Sequence, residues 1–236
     1  SSGSLGLRLR ARCSSVASRV RVARGVSVRV ESEIEAVSIW LAHFPQALDA
    51  DECAASLFIR HGPPSALESS DSFVGRREIL WVSEHLARVG VNGAAGRIEW
   101  TGVTDSVLDA ELAVDPSEAR GVLGPILCMI AGLVLAPRGA LLVHASAVAT
   151  RAGAVLLLGP SGAGKTTSAR RLGREGATRI ADDTVLVRRA GSDAVVEASS
   201  FDRASRLEGR LSRGWRLRGA YLVEKNARRP EVLETT

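Results

Sequence analysis

Within residues 156–172, LLLGPSGAGKTTSARRL, the spacing Gly159-x-x-x-x-Gly164-Lys165-Thr166 follows an apolar run from Ala154 to Leu158 and precedes a helix-forming stretch. Strand, glycine loop and helix in that order form a phosphate-binding loop. Glycines at 159, 162 and 164 permit backbone states closed to residues with a Cβ, so successive N–H groups converge on phosphate oxygens at the positive end of the following helix. The expected phosphate-binding residues are Gly159, Pro160, Ser161, Gly162, Ala163, Gly164, Lys165, Thr166 and Thr167. Lys165 is expected to reach the β- and γ-phosphates, and the Thr166 hydroxyl to ligate Mg²⁺. A glycine-rich turn with a chance lysine would not bring the hydroxyl and both flanking elements along with it.

The surrounding sequence sets neighbours for this loop. ALLVHASAVA, residues 140–149, alternates as one strand with Leu142, His144, Ser146 and Val148 on one face. Four residues, Thr150-Arg151-Ala152-Gly153, join it to the loop strand. So short a connection joins antiparallel neighbours, since a parallel crossover needs about a dozen residues. Pairing Ala149 with Ala154 carries His144 opposite Gly159, where it can donate to phosphate or assist proton transfer. After the loop helix, GATRIADDTVLVRR reads as a strand bearing Asp182 and Asp183, whose side chains alternate into different environments. One carboxylate suits Mg²⁺ and one a proton from an attacking hydroxyl. RRAGSDAVVEAS reads as a hairpin about Gly191-Ser192-Asp193, and LRGAYLV, residues 217–223, as a late strand.

The first half carries no such chemistry. Arginines at 8, 10, 12, 19, 21, 24 and 29 fall largely on alternate residues, as on the wet face of amphipathic strands. Ser32 and Glu35 form a capping-box pair for a helix burying Ile34, Val37 and Leu41 and ended by Pro45. SLFIR, EILWV and GRIEW are strand candidates between 46 and 114. Asp115, Pro116 and Glu118 open an apolar helix that PRG at 137–139 stops. These readings give an α/β chain: an N-terminal α+β module at 1–114, suited to recognising an acceptor or partner, then a nucleotide-binding domain at 115–236.

Composition excludes several classes. The net charge of +5 suggests nucleic acid, but four Trp, four Phe and one Tyr are few bases' worth of stacking, and no nucleic-acid motif is present. Cys13, Cys53 and Cys128 have neither disulfide nor zinc spacing, which fits a reducing cytoplasm. The apolar run at 121–136 is shorter than the roughly 20 residues of a membrane span and reads as a buried helix, and no signal-peptide pattern opens the sequence. No membrane and no nucleic acid are therefore expected as partners, while self-association stays open.

The combination LLVHASAVA…GAVLLLGPSGAGKTTSARRLGREGATRIADDTVLVRR resembles the catalytic core of the HPr kinase/phosphorylase family, and more closely the HPr-kinase-like proteins found with peptide-modification systems. The likeness spans about 141–189. It implies a phosphoenolpyruvate-carboxykinase-like fold with a mixed sheet around the P-loop. It also implies ATP- and Mg²⁺-dependent phosphorylation of a serine or similar hydroxyl of a peptide or small protein. By that resemblance Lys165 and Thr166 take nucleotide and metal, Asp182 is the base, Asp183 a metal-side acid, and His144 a phosphate-proximal assistant. The family's Glu-x-Arg-Gly segment has no clear counterpart; Glu197 aligns only loosely. Arg203, Arg206, Arg210, Arg213, Arg216 and Arg218 read as an exposed basic face before a source of transition-state charge. Two other readings are a nucleotide-binding accessory protein with little chemistry and a small-molecule kinase. The latter would be marked by a parallel partner beside the loop strand, which the short hairpin disfavours.

Overall fold

A computed structural model describes residues 16–61, 78–83, 86–91, 94–100, 108–114, 119–202 and 213–225. Arg8, Arg10, Arg12, Cys13, Asp115, Pro116, Glu118, Arg203, Arg206 and Arg210 lie outside them. The described residues form two mixed sheets of seven strands and three helices, an α/β arrangement.

The first sheet begins with the hairpin β1 (Val16–Ala23) and β2 (Val26–Ser32), turning at Gly25 with φ +78°. Val20, Val22, Val28 and Val30 face the core, as the alternation expects. The arginines divide. Arg29 stays exposed beside Glu31, whereas Arg19 and Arg21 are half-buried and reach Asp51, Arg19 to its carbonyl and Arg21 to its carboxylate at 2.7 Å. Ser32 does not cap α1 (Glu35–Leu41). It is the last residue of β2, its Oγ accepts the Ile34 N–H at 3.0 Å, and Ile34 is the N-cap with no side-chain bond. The helix buries Val37 and Leu41 and stops short of Pro45.

SLFIR, EILWV and GRIEW fall in β3 (Glu52–His61), β4 (Glu78–Ser83) and β6 (Ala94–Trp100). β5 (Leu86–Val91) and β7 (Leu108–Val114), unread in the sequence, complete the order β1-β2-β3-β7-β6-β5-β4. β3 pairs parallel with β2 and β7, and the other pairs are antiparallel.

The apolar run forms α2 (Ala119–Leu135), stopped by a single 3₁₀ turn at Ala136–Arg138 and by Gly139 at φ +70°. The stretch Gly121–Arg138 is long and apolar enough to cross a membrane by length and composition. Here Val122, Leu123, Ile126, Leu127, Ile130, Val134 and Leu135 join a core with Leu57 and Ile59 of the first sheet and Ala140 and Leu186 beyond it. Burying one such side chain contributes about 1.5–3 kcal/mol.

The second sheet holds β8 (Ala140–His144), β9 (Ser146–Thr150), β10 (Gly153–Leu158), β11 (Thr178–Ala181), β12 (Thr184–Ala190), β13 (Asp193–Ala198) and β14 (Gly214–Leu222). α3 (Lys165–Arg174) lies between β10 and β11 in sequence. The order is β11-β9-β10-β14-β13-β12-β8. β14 is shared: its first residues pair antiparallel with β13 and its later ones parallel with β10. The sheet bends there, and Ala147, Ala154 and Leu156 meet Val185, Val196 and Ala198 in one core. Alanine on these facing strands lets the two parts approach closely.

Three expectations fail around the loop strand. The 140–149 run is two strands, because the chain changes partners at buried Ala145, whose N–H goes to the Asp183 carbonyl at 3.0 Å. The hairpin register Ala149↔Ala154 holds and runs to Ser146↔Leu157, but His144 then pairs with Thr184 and not Gly159. The loop strand also has a parallel neighbour, β14, in addition to antiparallel β9, so the mark set for a small-molecule kinase, which the short hairpin was expected to disfavour, is present. A four-residue hairpin fixes one side of a strand and leaves the other to a segment far along the chain.

Candidate functional site

β10 delivers the chain to Gly159, whose φ is +143°. A Cβ there would stand 2.5 Å from the Val223 carbonyl oxygen, because the Val223 N–H bonds the Leu158 carbonyl at 2.7 Å and holds the end of β14 against the loop. Gly162 and Gly164 have φ of +78° and +104°, and a Cβ on either would meet nothing within 4 Å, so the loop borders open space. The Ala163 N–H closes a turn on the Pro160 carbonyl at 3.2 Å. Pro160, Ser161 and Thr167 are exposed, Ala163 is buried and Thr166 half-buried. Gly164 caps α3 without a side-chain bond, so the first N–H groups of the helix keep their positive end towards the loop.

Lys165 is the first residue of α3 and only 7% exposed. Its Nζ donates to the carbonyls of Gly159 at 2.8 Å and Pro160 at 3.1 Å. Among the described residues no carboxylate pairs with it. A buried ammonium resting on two carbonyl dipoles, beside a helix N-terminus, is suited to an anion.

Asp182 and Asp183 occupy the corner between β11 and β12, not the strand the sequence suggested. Their environments differ as alternation would have made them. The Asp182 carboxylate engages the Arg179 guanidinium, with Nε at 3.3 Å and Nη2 closer. Its carbonyl accepts the hydroxyls of Ser146 at 2.6 Å and Thr166 at 3.3 Å, which ties the corner to the first turn of α3. The Asp183 side chain is 69% exposed, 3.2 Å from His144 Nδ1 and 3.5 Å from the Thr184 hydroxyl. So Lys165, Thr166 and Asp182 are linked through the loop and its helix, while His144 is joined to Asp183. Burial, and then the nearby charge of Asp183, push the Cys128 thiol of α2 above its ordinary pKa.

Glu197 is committed to Arg188 across β12 and β13 at 2.7 Å. Arg216 pairs with Asp193, Arg218 donates to the Ala152 carbonyl, and Arg213 lies over the Trp215 ring. Among the described residues no group of three or more His, Cys, Asp or Glu stands together as a metal cage. The sequence did not single out Ser146, Arg179 or Asp202 as part of the site. Arg179, on the strand just before the Asp pair, was legible in principle, whereas Ser146 reaches Asp182 from β9. Asp202 gave no local signal.

Residues 123–224, under half of the chain, match a protein-family model described as ScmC, a SynChlorMet cassette protein. The matched span runs from within α2 to just beyond β14 and includes the glycine loop and both aspartates. No curated protein matches the chain.

Proposed function

We propose that the chain is an ATP-dependent kinase that transfers a phosphoryl group to a serine or similar hydroxyl of a peptide or small protein in the cytoplasm. The observation that carries this reading is Lys165, a buried ammonium without a carboxylate partner among the described residues, set on the carbonyls of a glycine loop at the start of α3. The loop's positive-φ glycines and the open space beside Gly162 and Gly164 fit a polyphosphate chain. A mixed sheet with the loop at the end of β10 also suits the HPr-kinase-like P-loop architecture that the sequence resembles.

In this reading Gly159–Thr167 hold the phosphates of ATP, with Lys165 supplying charge to the β- and γ-phosphates. Mg²⁺ supplies neutralisation of the charge that develops on the transferring group. Thr166 and Asp183 would be its protein ligands; Mg²⁺ commonly takes only one or two carboxylates beside phosphate oxygens and water. Asp182 accepts the proton of the attacking hydroxyl, its carboxylate oriented by Arg179. Phosphoryl transfer through a loose transition state asks for positioning more than for basicity. His144 assists from beside Asp183. The first sheet serves acceptor or partner recognition.

The test is transfer of labelled γ-phosphate from Mg²⁺-ATP to hydroxyl-bearing peptides, with Lys165→Ala and Asp182→Asn alongside. Label on a peptide hydroxyl, lost in both variants, supports the kinase. A second reading draws on the engagement of Asp182 by Arg179 and of Glu197 by Arg188: the chain binds ATP to control a partner enzyme and performs little transfer. Binding that needs Lys165, with no transfer by the wild type and no effect of Asp182→Asn, selects that alternative.

A further inference from the structure

The two-residue corner Asp182-Asp183 has four backbone polar groups and lies between strands in different parts of the bent sheet, outside the ladder. Its carbonyls are taken by Ser146, Thr166 and the Ala145 N–H. Both of its N–H groups converge on one atom, Oδ1 of Asp202, at 3.0 Å each. We infer that Asp202 is the positioning residue of the site, fixing the corner so that the two aspartates present their carboxylates in different directions; the catalytic meaning of this rests on the kinase reading.

Asp202 is suited to the task. It is 1% exposed, and its own N–H bonds the Ser199 carbonyl at 3.0 Å. The preceding Phe201 donates its N–H to the Ser199 hydroxyl at 3.1 Å and sets its ring edge-on to Phe44, which anchors the turn in the core. A single carboxylate oxygen receiving two successive N–H groups makes charge-assisted bonds that favour one corner geometry. That geometry is what separates Asp182, facing Arg179, from Asp183, facing His144. Asp202 acts through the backbone.

The experiment compares wild type with Asp202→Asn, which keeps an Oδ1 acceptor, and Asp202→Ala, which removes it. Site-resolved amide exchange is read at residues 182 and 183 and on β9 and β10. The inference expects wild-type and Asn proteins to protect both corner amides, and Ala to lose that protection at least about tenfold while β9 and β10 stay protected. In kinetics, Ala should lower kcat on the order of tenfold to a hundredfold with KM for ATP within about threefold, and Asn should restore most of it. Corner amides as slow in Ala as in wild type would overturn the inference. So would equal loss of protection across the sheet, or kcat unchanged in Ala. If wild type transfers no phosphoryl group, the kinase reading falls, and the exchange data alone still decide whether Asp202 fixes the corner.

Discussion

Replacing Gly159 by alanine tests how the sheet shapes the loop. The φ of +143° is closed to residues with a side chain, and the new methyl would stand 2.5 Å from the Val223 carbonyl oxygen, a backbone atom that cannot turn aside. Backbone strain of this kind costs about 1–3 kcal/mol. Relief requires the end of β14 to move off β10, endangering the Val223 N–H bond to Leu158, which contributes roughly 0.5–1.5 kcal/mol. The sum is about 1.5–4.5 kcal/mol, or a fall of about 3–18 °C in Tm for a chain of this size. Gly162→Ala is the control: its Cβ meets nothing within 4 Å, so only left-handed strain of about 1–2 kcal/mol applies. Thermal unfolding followed by circular dichroism should rank wild type above Gly162→Ala above Gly159→Ala. A Gly159→Ala protein that unfolds with wild type, or no lower than the control, would refute the claim that β14 sets the loop.

Three further outcomes follow from other parts of the molecule. Burial raises the Asp51 carboxyl, but Arg21 and the N–H groups of Leu48 and Gly25 outweigh it and hold the pKa below its ordinary 3.8. The stability this gives is complete above 3.8 and is lost as pH falls through the lowered value. Asp51→Asn should therefore be less stable than wild type at pH 7 in urea, and the gap should narrow in acid; a constant gap would contradict it. In a Cys13→Ser, Cys53→Ser background, Cys128 should alkylate slowly at neutral pH and faster once Asp183→Asn removes the nearby charge. Equal rates would mean that Asp183 does not face α2. Ile130→Ala, at a fully buried position of α2, should lower stability by about 2–5 kcal/mol in urea titration, whereas under about 0.5 kcal/mol would take the helix out of the core.

The strand, glycine turn and helix at 154–174 were legible because Gly159, Gly164, Lys165 and the apolar run before them act within a few residues of one another. The hairpin at 150–153 was legible for the same reason, down to Ala149↔Ala154. What the sequence hid depends on distant partners. Nothing in ALLVHASAVA marks Ala145 as the residue where the chain leaves one part of the sheet for another, so unbroken alternation sets His144 opposite Gly159 where the fold pairs it with Thr184. The parallel side of β10 comes from β14, about sixty residues away. Ser32 has the right spacing for a cap but is still in β2 when it makes its bond, so the strand's claim on it prevails. Asp202 acts at the corner only because the chain folds back onto Asp182. Strands β5 and β7 carry a weak sequence signal, since Gly, Ala, Asp and Glu within LARVGV and LDAELAV blur the alternation.

The claim beneath all of this is that the loop at 159–167 holds the phosphates of a nucleotide through Lys165. The measurement that reaches it directly is the affinity for Mg²⁺-ATP by displacement of a fluorescent ATP analogue, wild type against Lys165→Ala, both shown to be folded. Loss of a buried charged donor should weaken binding by about 10- to 100-fold. Equal affinity in the two proteins, or no binding by the wild type, would contradict the account.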